Sequence, residues 1–253
     1  MSNRDKIPAD IPFLRGRARR ITRGLEHLLG VPRPKGKPTA PIDMLIGTLL
    51  SQNTNDRNSY RAYKSLRMKY PSWKEVADAR TAGIAAAIRV GGMANQKSRR
   101  IKELLRDLND DFDSFDLQSL RSKSDDEAIA VLTSYRGIGV KTAACVLLFS
   151  FRKDVFPVDT HVHRICNRLG LVHTKTPEKT FLSMKSLFPA GKAYSLHTNL
   201  IRFGRTICLA RNPRCENCPF YDECQYPAKR RRVHLPDDAA RHRGSHFMLL
   251  DHL

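Results

Sequence analysis

The chain has 253 residues, enough to bury a substantial core in one or two domains. Its 45 Lys and Arg stand against 25 Asp and Glu, a formal charge of +20 that suits a polyanionic partner, nucleic acid first and an anionic membrane surface second. No stretch is apolar for long enough to span a bilayer, and the opening "MSNRDKIPADIPF" lacks a signal-peptide core, so a cytoplasmic chain is expected rather than a secreted or membrane-spanning one.

The predicted elements are helical nearly throughout. In "LRGRARRITRGLEHLLG" the residues Leu14, Ala18, Ile21, Leu25 and Leu28 form one apolar stripe opposite a face of arginines. "VPRPKGKPTAP" reads as a loop and "IDMLIGTLL" as a buried helix. "SWKE" (72–75) and "SDDE" (124–127) are capping boxes, each opening a helix. Between them "RIKELLRDL" keeps a 3.6-residue period through Ile101, Leu104, Leu105 and Leu108. No alternating strand pattern runs to useful length, so the fold class is all-α. A basic amphipathic helix with bulky aromatic insertion residues is also missing, which argues against a membrane partner.

"RGIGVKTA" (136–143) interrupts a segment whose flanks, "DEAIAVLTSY" and "ACVLLFSF", are apolar enough to be buried. Gly137 and Gly139 permit a tight reversal with positive φ and exposed backbone amides. A helix starting there offers free N–H groups and a positive dipole end to an anion such as phosphate. Lys141 stands beside the break, either as a phosphate contact or as a more reactive group. Next comes "FPVDTHVHRICNRLGL" (156–171), where Asp159 or Thr160 caps the following helix. Asp159 reads either as that cap or as a carboxylate serving Lys141 across a nucleic-acid cleft. His161 and His163 lack metal-ligand company and stay outside the chemistry. Thr176-Pro177 marks a further N-cap with proline at the first helical position.

Four of the six cysteines lie in "CLARNPRCENCPFYDEC" as Cys208, Cys215, Cys218 and Cys224. Four thiolates within this C-x6-C-x2-C-x5-C loop can wrap a metal centre, and the spacing suits zinc as well as an iron–sulfur cluster. Two disulfides are disfavoured in a chain without a secretory signal. Cys145 and Cys166 read as ordinary buried residues.

Taken in order, "LLSQNTND" (49–56), "GGMANQKSRRI" (91–101), "YRGIGVKTA" (135–143), "FPVDTHVHRICNRLGL" and the four-cysteine loop resemble the endonuclease III family of helix-hairpin-helix DNA glycosylases. The resemblance covers roughly residues 14 to 226. It implies two helical domains with a DNA cleft between them. One is a six-helix barrel with the helix-hairpin-helix, placed at 43–155; the other is an iron–sulfur domain from 1–42 and 156–228. Beyond the match, 229–253 is expected to be a flexible basic tail. The resemblance also favours a [4Fe–4S] cluster over zinc on the four cysteines.

The resemblance further implies roles for single residues. Lys141 matches the family's catalytic lysine and Asp159 its catalytic aspartate. The Gly137-Ile138-Gly139 turn, with Val140 and Thr142 behind it, looks like the hairpin that grips DNA phosphate through backbone amides. Asn53 and Met93 fall where better-known members have the glutamine and leucine that fill the gap left by a flipped base. Asn53 also reads as a helix C-cap and Met93 as a core residue, and a slip of one would make Gln52 the filler. The implied function is a bifunctional glycosylase and AP lyase removing oxidised pyrimidines such as thymine glycol. "LSQNT" and "FPVDT" also resemble the plant 5-methylcytosine glycosylases, so 5-methylcytosine and mismatched thymine or uracil stand as alternative substrates. A non-catalytic DNA-binding protein on the same scaffold is the alternative of a different class. The expected partner is double-stranded DNA with damaged bases or abasic sites, bound by a monomer that is nucleoid-associated if the source is prokaryotic.

Overall fold

A computed structural model describes residues 10–34, 36–112 and 115–229, and the basic tail lies outside them apart from its first residue, Lys229. Among the described residues every regular element is helical. The chain divides into two compact units, residues 36–153 and residues 10–34 with 154–229. The division falls at 34/35 and 153/154, so residues 36–42 go with the segment that follows them rather than with the N-terminal helix.

The unit 36–153 is built from α2 (Pro41–Ser51), α3 (Asp56–Lys69), α4 (Trp73–Asp78), α5 (Thr81–Ala87), α6 (Ala94–Phe112), α7 (Asp125–Ser134) and α8 (Val140–Cys145). Its centre is α2, where Met44, Leu45, Ile46, Leu49 and Leu50 are fully buried. α2 is apolar on almost all sides because α3, α6 and α8 all pack on it. α6 is amphipathic instead, burying Ile101, Leu104, Leu105 and Leu108 and leaving its charged face to solvent. The two capping boxes form as expected. The Ser72 and Ser124 side chains accept from the Glu75 and Glu127 amides, and each glutamate bonds back to its serine amide. α8 widens after Cys145 into a π-helical turn, Val146–Ser150, whose five residues are all buried.

The other unit contains α1 (Ile11–Leu29), α9 (Thr160–Arg168), α10 (Pro177–Met184) and α11 (Ala193–Thr206). Leu14, Ala18, Ile21 and Leu25 of α1 are buried, whereas Leu28 at the helix end is only half-buried. α11 supplies Leu196, Leu200, Ile201 and Phe203, and packs against both α1 and α9. Thr176 caps α10 by accepting from the Lys179 amide at 3.3 Å, with Pro177 at the first helical position. Phe220 anchors the cysteine loop to this core. Its ring meets Phe203 edge-on at 5.6 Å and lies so close to α1 that a Cβ on Gly24 would come within 2.7 Å of it.

Candidate active-site groups and the cysteine loop

The segment 136–143 does form a hairpin between α7 and α8. Gly137 adopts φ +89, and the Ile138 amide donates to the Tyr135 carbonyl at 3.1 Å to close the turn. Ile138 is buried and holds the turn down. Gly139 is exposed and extended (φ −93, ψ 171) and serves as the N-cap of α8 with no side-chain oxygen to cap it. The amides of Val140, Lys141 and Thr142 open this helix and are of the kind that suits an anion. Val140 and Lys141 are half-buried and Thr142 is buried, so Lys141 leaves the first turn from a partly desolvated position. Arg100 of α6 lies beside Gly137, with its Cδ 3.5 Å from where a Cβ would stand.

The three residues proposed as gap fillers divide into two roles. Gln52 is the C-cap of α2 and half-buried, and its Nε2 donates to the Gly137 carbonyl at 3.4 Å. That bond ties Gln52 to the hairpin. Asn53 follows at φ +52 and is exposed. Met93 has φ +51 and is 49 % exposed, so it is not a core side chain. Forty positions apart in sequence, these two meet, with Asn53 Nδ2 3.7 Å from Met93 Sδ. Two non-glycine residues in the left-handed region side by side are uncommon, and such backbone clusters at functional sites.

Asp159 belongs to the other unit. Its Oδ1 accepts from the Val162 amide at 2.8 Å, so it caps α9. The bond occupies one carboxylate oxygen of a half-buried side chain. Burial lowers the pKa of the neighbouring His161, partly offset by the Asp159 charge, and His161 Nδ1 lies 3.3 Å from Arg164 Nη2. His163 bonds Thr180 Oγ1 at 2.7 Å, in a network with Asn167 and Thr174. Both histidines thus serve local polar contacts.

The four clustered cysteines form no disulfide among the described residues and lie on one loop around a short helical turn, Cys215–Asn217. Cys215 and Cys218 are buried. Burial pushes the Cys218 thiol up to about 12, and the charges of Cys208, Cys224 and Cys215 push it the same way, as expected of thiols gathered together. Donors are aimed at the sulfurs: Arg168 Nη1 at Cys208 Sγ (3.4 Å) and the Tyr226 amide at Cys224 Sγ (3.5 Å). N–H groups so placed orient and stabilise metal-bound thiolates. Two arginines one turn apart on α9 brace the loop. Arg164 donates to the Gly204 and Cys208 carbonyls (3.0 and 2.7 Å), and Arg168 donates to Leu209 and Ala210 while stacking on Tyr226. Among the described residues no three His, Cys, Asp or Glu side chains converge tightly enough to grip a single ion. The fit of an all-cysteine cluster therefore rests on the donor set and its surroundings. Cysteine spacing signalled the loop; nothing marked Arg164 and Arg168 except their i, i+4 placement.

The family profile described as the HhH-GPD superfamily of base excision DNA repair proteins matches residues 46–190, and the iron–sulfur binding domain of endonuclease III matches residues 208–224. Endonuclease III of Thermotoga maritima is 38 % identical over 194 residues, covering 77 % of this chain and 87 % of that protein. The Arabidopsis thaliana DNA glycosylase/AP lyase ROS1 is 31 % identical over 195 residues, covering 70 % of this chain but only 14 % of that protein. A solved structure of a trapped endonuclease III–DNA covalent intermediate superposes with a TM-score of 0.71 at 25 % identity, covering 83 % of this chain and 95 % of that one. The chain therefore belongs to the endonuclease III family of HhH-GPD base excision repair DNA glycosylases, and its cofactor is that family's [4Fe–4S] cluster.

Proposed function

We propose that this glycosylase is bifunctional, removing oxidised pyrimidines such as thymine glycol from duplex DNA and then nicking the strand as an AP lyase. The observation that carries this is Lys141, half-buried in the first turn of a helix whose glycine N-cap is exposed and uncapped. A neutral amine there is able to attack C1′ of a flipped nucleotide. The C1′–base bond breaks, the base leaves with a proton, and the sugar opens to a Schiff base on the lysine. Loss of the C2′ proton then expels the 3′ phosphate, and water releases the enzyme. Asp159 supplies the carboxylate that stabilises positive charge growing on the sugar, using the oxygen its cap bond leaves over.

The hairpin amides grip phosphate without regard to sequence. Asn53 and Met93 enter the stack in place of the flipped base, the amide toward the orphan base and the thioether as an apolar wedge. Cys208, Cys215, Cys218 and Cys224 would hold the cluster through their thiolates, and the four iron–sulfur bonds would fix their loop. Base removal takes no step through the cluster. The protein acts as a monomer on damaged or abasic duplex DNA.

The test is a labelled duplex with one thymine glycol, incubated with and without later alkali. Nicking without alkali supports both activities; nicking only after alkali leaves a glycosylase without lyase function. Parallel duplexes with 5-methylcytosine, or with thymine or uracil opposite guanine, decide the substrate class. The 31 % identity to ROS1 keeps those duplexes in the set. Binding with no cleavage of any of them supports the non-catalytic alternative.

A further inference from the structure

The apolar stripe of α6 has one charged member. Ile101, Leu104, Leu105 and Leu108 are at most 2 % exposed, and Lys97, one turn earlier on the same face, is only 3 % exposed. Its ammonium donates to the Leu50 carbonyl at 2.8 Å and to the Gly91 carbonyl at 2.9 Å. Among the described residues it forms no ion pair, and burial lowers its pKa. A leucine or methionine would fill this place without the desolvation cost of a buried ammonium. Packing alone therefore does not account for a lysine here.

The two carbonyls belong to different loops. Leu50 lies in the last turn of α2, at the negative end of its dipole, and the chain runs from it through Ser51 and Gln52 to Asn53. Gly91 ends a one-turn helix, Arg89–Gly91, and leads through Gly92 at φ +69 to Met93. One ammonium thus bridges the stems of both loops, and the tips of those loops carry the touching, left-handed pair Asn53 and Met93. The Asn53–Met93 contact itself is only a weak N–H···S approach at exposed side chains, whereas the Lys97 bonds are short and buried.

We infer that Lys97 is a positioning residue for nucleotide flipping, locking the two loop stems so that Asn53 and Met93 enter the duplex together. This rests on the proposed base-removing function. Without the ammonium each loop keeps its place in the chain but loses its register against the other. Flipping out of a duplex then suffers, whereas chemistry on a site that is already unstacked does not.

The experiment compares wild type with Lys97→Met, which keeps length and volume and removes the donors. Three readouts are taken: single-turnover rate on a thymine glycol duplex, nicking of a single-stranded abasic oligonucleotide, and fluorescence of 2-aminopurine placed as the flipped base. The expected result is at least a tenfold slower duplex reaction, a weaker 2-aminopurine rise, and single-stranded nicking within twofold of wild type. Equal loss on duplex and single strand would overturn the inference, because a merely structural role lowers both. An unchanged duplex rate would overturn it as well. Should Lys97→Met not fold, Lys97→Arg keeps the charge but shifts the donor spacing, and the same duplex-to-single-strand ratio decides. The 2-aminopurine arm needs no turnover, so a wild type that flips but does not cleave refutes the functional reading while still testing Lys97.

Discussion

Gly137 and Gly139 stand in one turn and differ in backbone, so alanine at each should act on a different quantity. At Gly137 an added Cβ has room, because its nearest neighbour is Arg100 Cδ at 3.5 Å. The obstacle is φ +89, which costs an L-residue about 1–2 kcal/mol. Melting should fall by roughly 4 °C per kcal/mol for a unit of this size. Gly139 has φ −93 and nothing within 4 Å of the added Cβ. Alanine there restricts the unfolded chain, a gain of about 0.4–1 kcal/mol, which offsets the poorer N-cap by a similar amount. Stability should hardly move. The new methyl, however, stands exposed at the mouth of the uncapped helix where phosphate approaches. Losing hydrogen bonds to a charged group is worth about 1.5–3 kcal/mol, or roughly tenfold to a hundredfold in affinity. Thermal melting paired with fluorescence anisotropy on an abasic-analogue duplex separates the effects. Gly137→Ala should lower the melting temperature; Gly139→Ala should preserve it and weaken binding. If Gly139→Ala melted as early as Gly137→Ala, or bound DNA as tightly as wild type, the account of an open anion site at this turn would be wrong.

Asp159→Asn keeps an oxygen for the Val162 amide, so α9 should stay capped and melting should change little, while base removal slows by roughly a hundredfold or more. Nicking of a preformed abasic site should suffer less, and equal loss of both rates would mark the residue as structural only. Purified protein should be brown with about four irons per chain, as a cubane on four thiolates requires. Cys215→Ala should lose iron and melt earlier, with DNA affinity falling before the rate on bound substrate; a colourless wild type with one zinc would contradict the cluster.

What could be read from the sequence was mostly local. The capping boxes at Ser72 and Ser124 and the Thr176-Pro177 pair mark helix starts because their partners lie three residues away. The cysteine loop and the glycine hairpin are equally contiguous. α3 was not legible, since only Ser59, Ala62 and Leu66 of its fourteen residues are buried and the stripe is too sparse to stand out. The π-helical turn after Cys145 was hidden for the opposite reason: a segment apolar on every side carries no phase. Asn53 meeting Met93 is a tertiary fact that no spacing reveals, and so is the link from Gln52 to Gly137. Lys97 had a signal, a charge at an apolar position of a regular stripe, but its two carbonyl partners lie 47 and 6 positions away and only the fold brings them together.

The central claim is that Lys141 forms a covalent bond to the sugar, and borohydride trapping on an abasic duplex tests it most directly. Wild type should give a stable protein–DNA adduct whose modified peptide, mapped by mass spectrometry, contains Lys141, and Lys141→Gln should bind the same duplex without forming it. An undiminished adduct in Lys141→Gln, or a wild-type adduct mapped to another amine, would contradict the account.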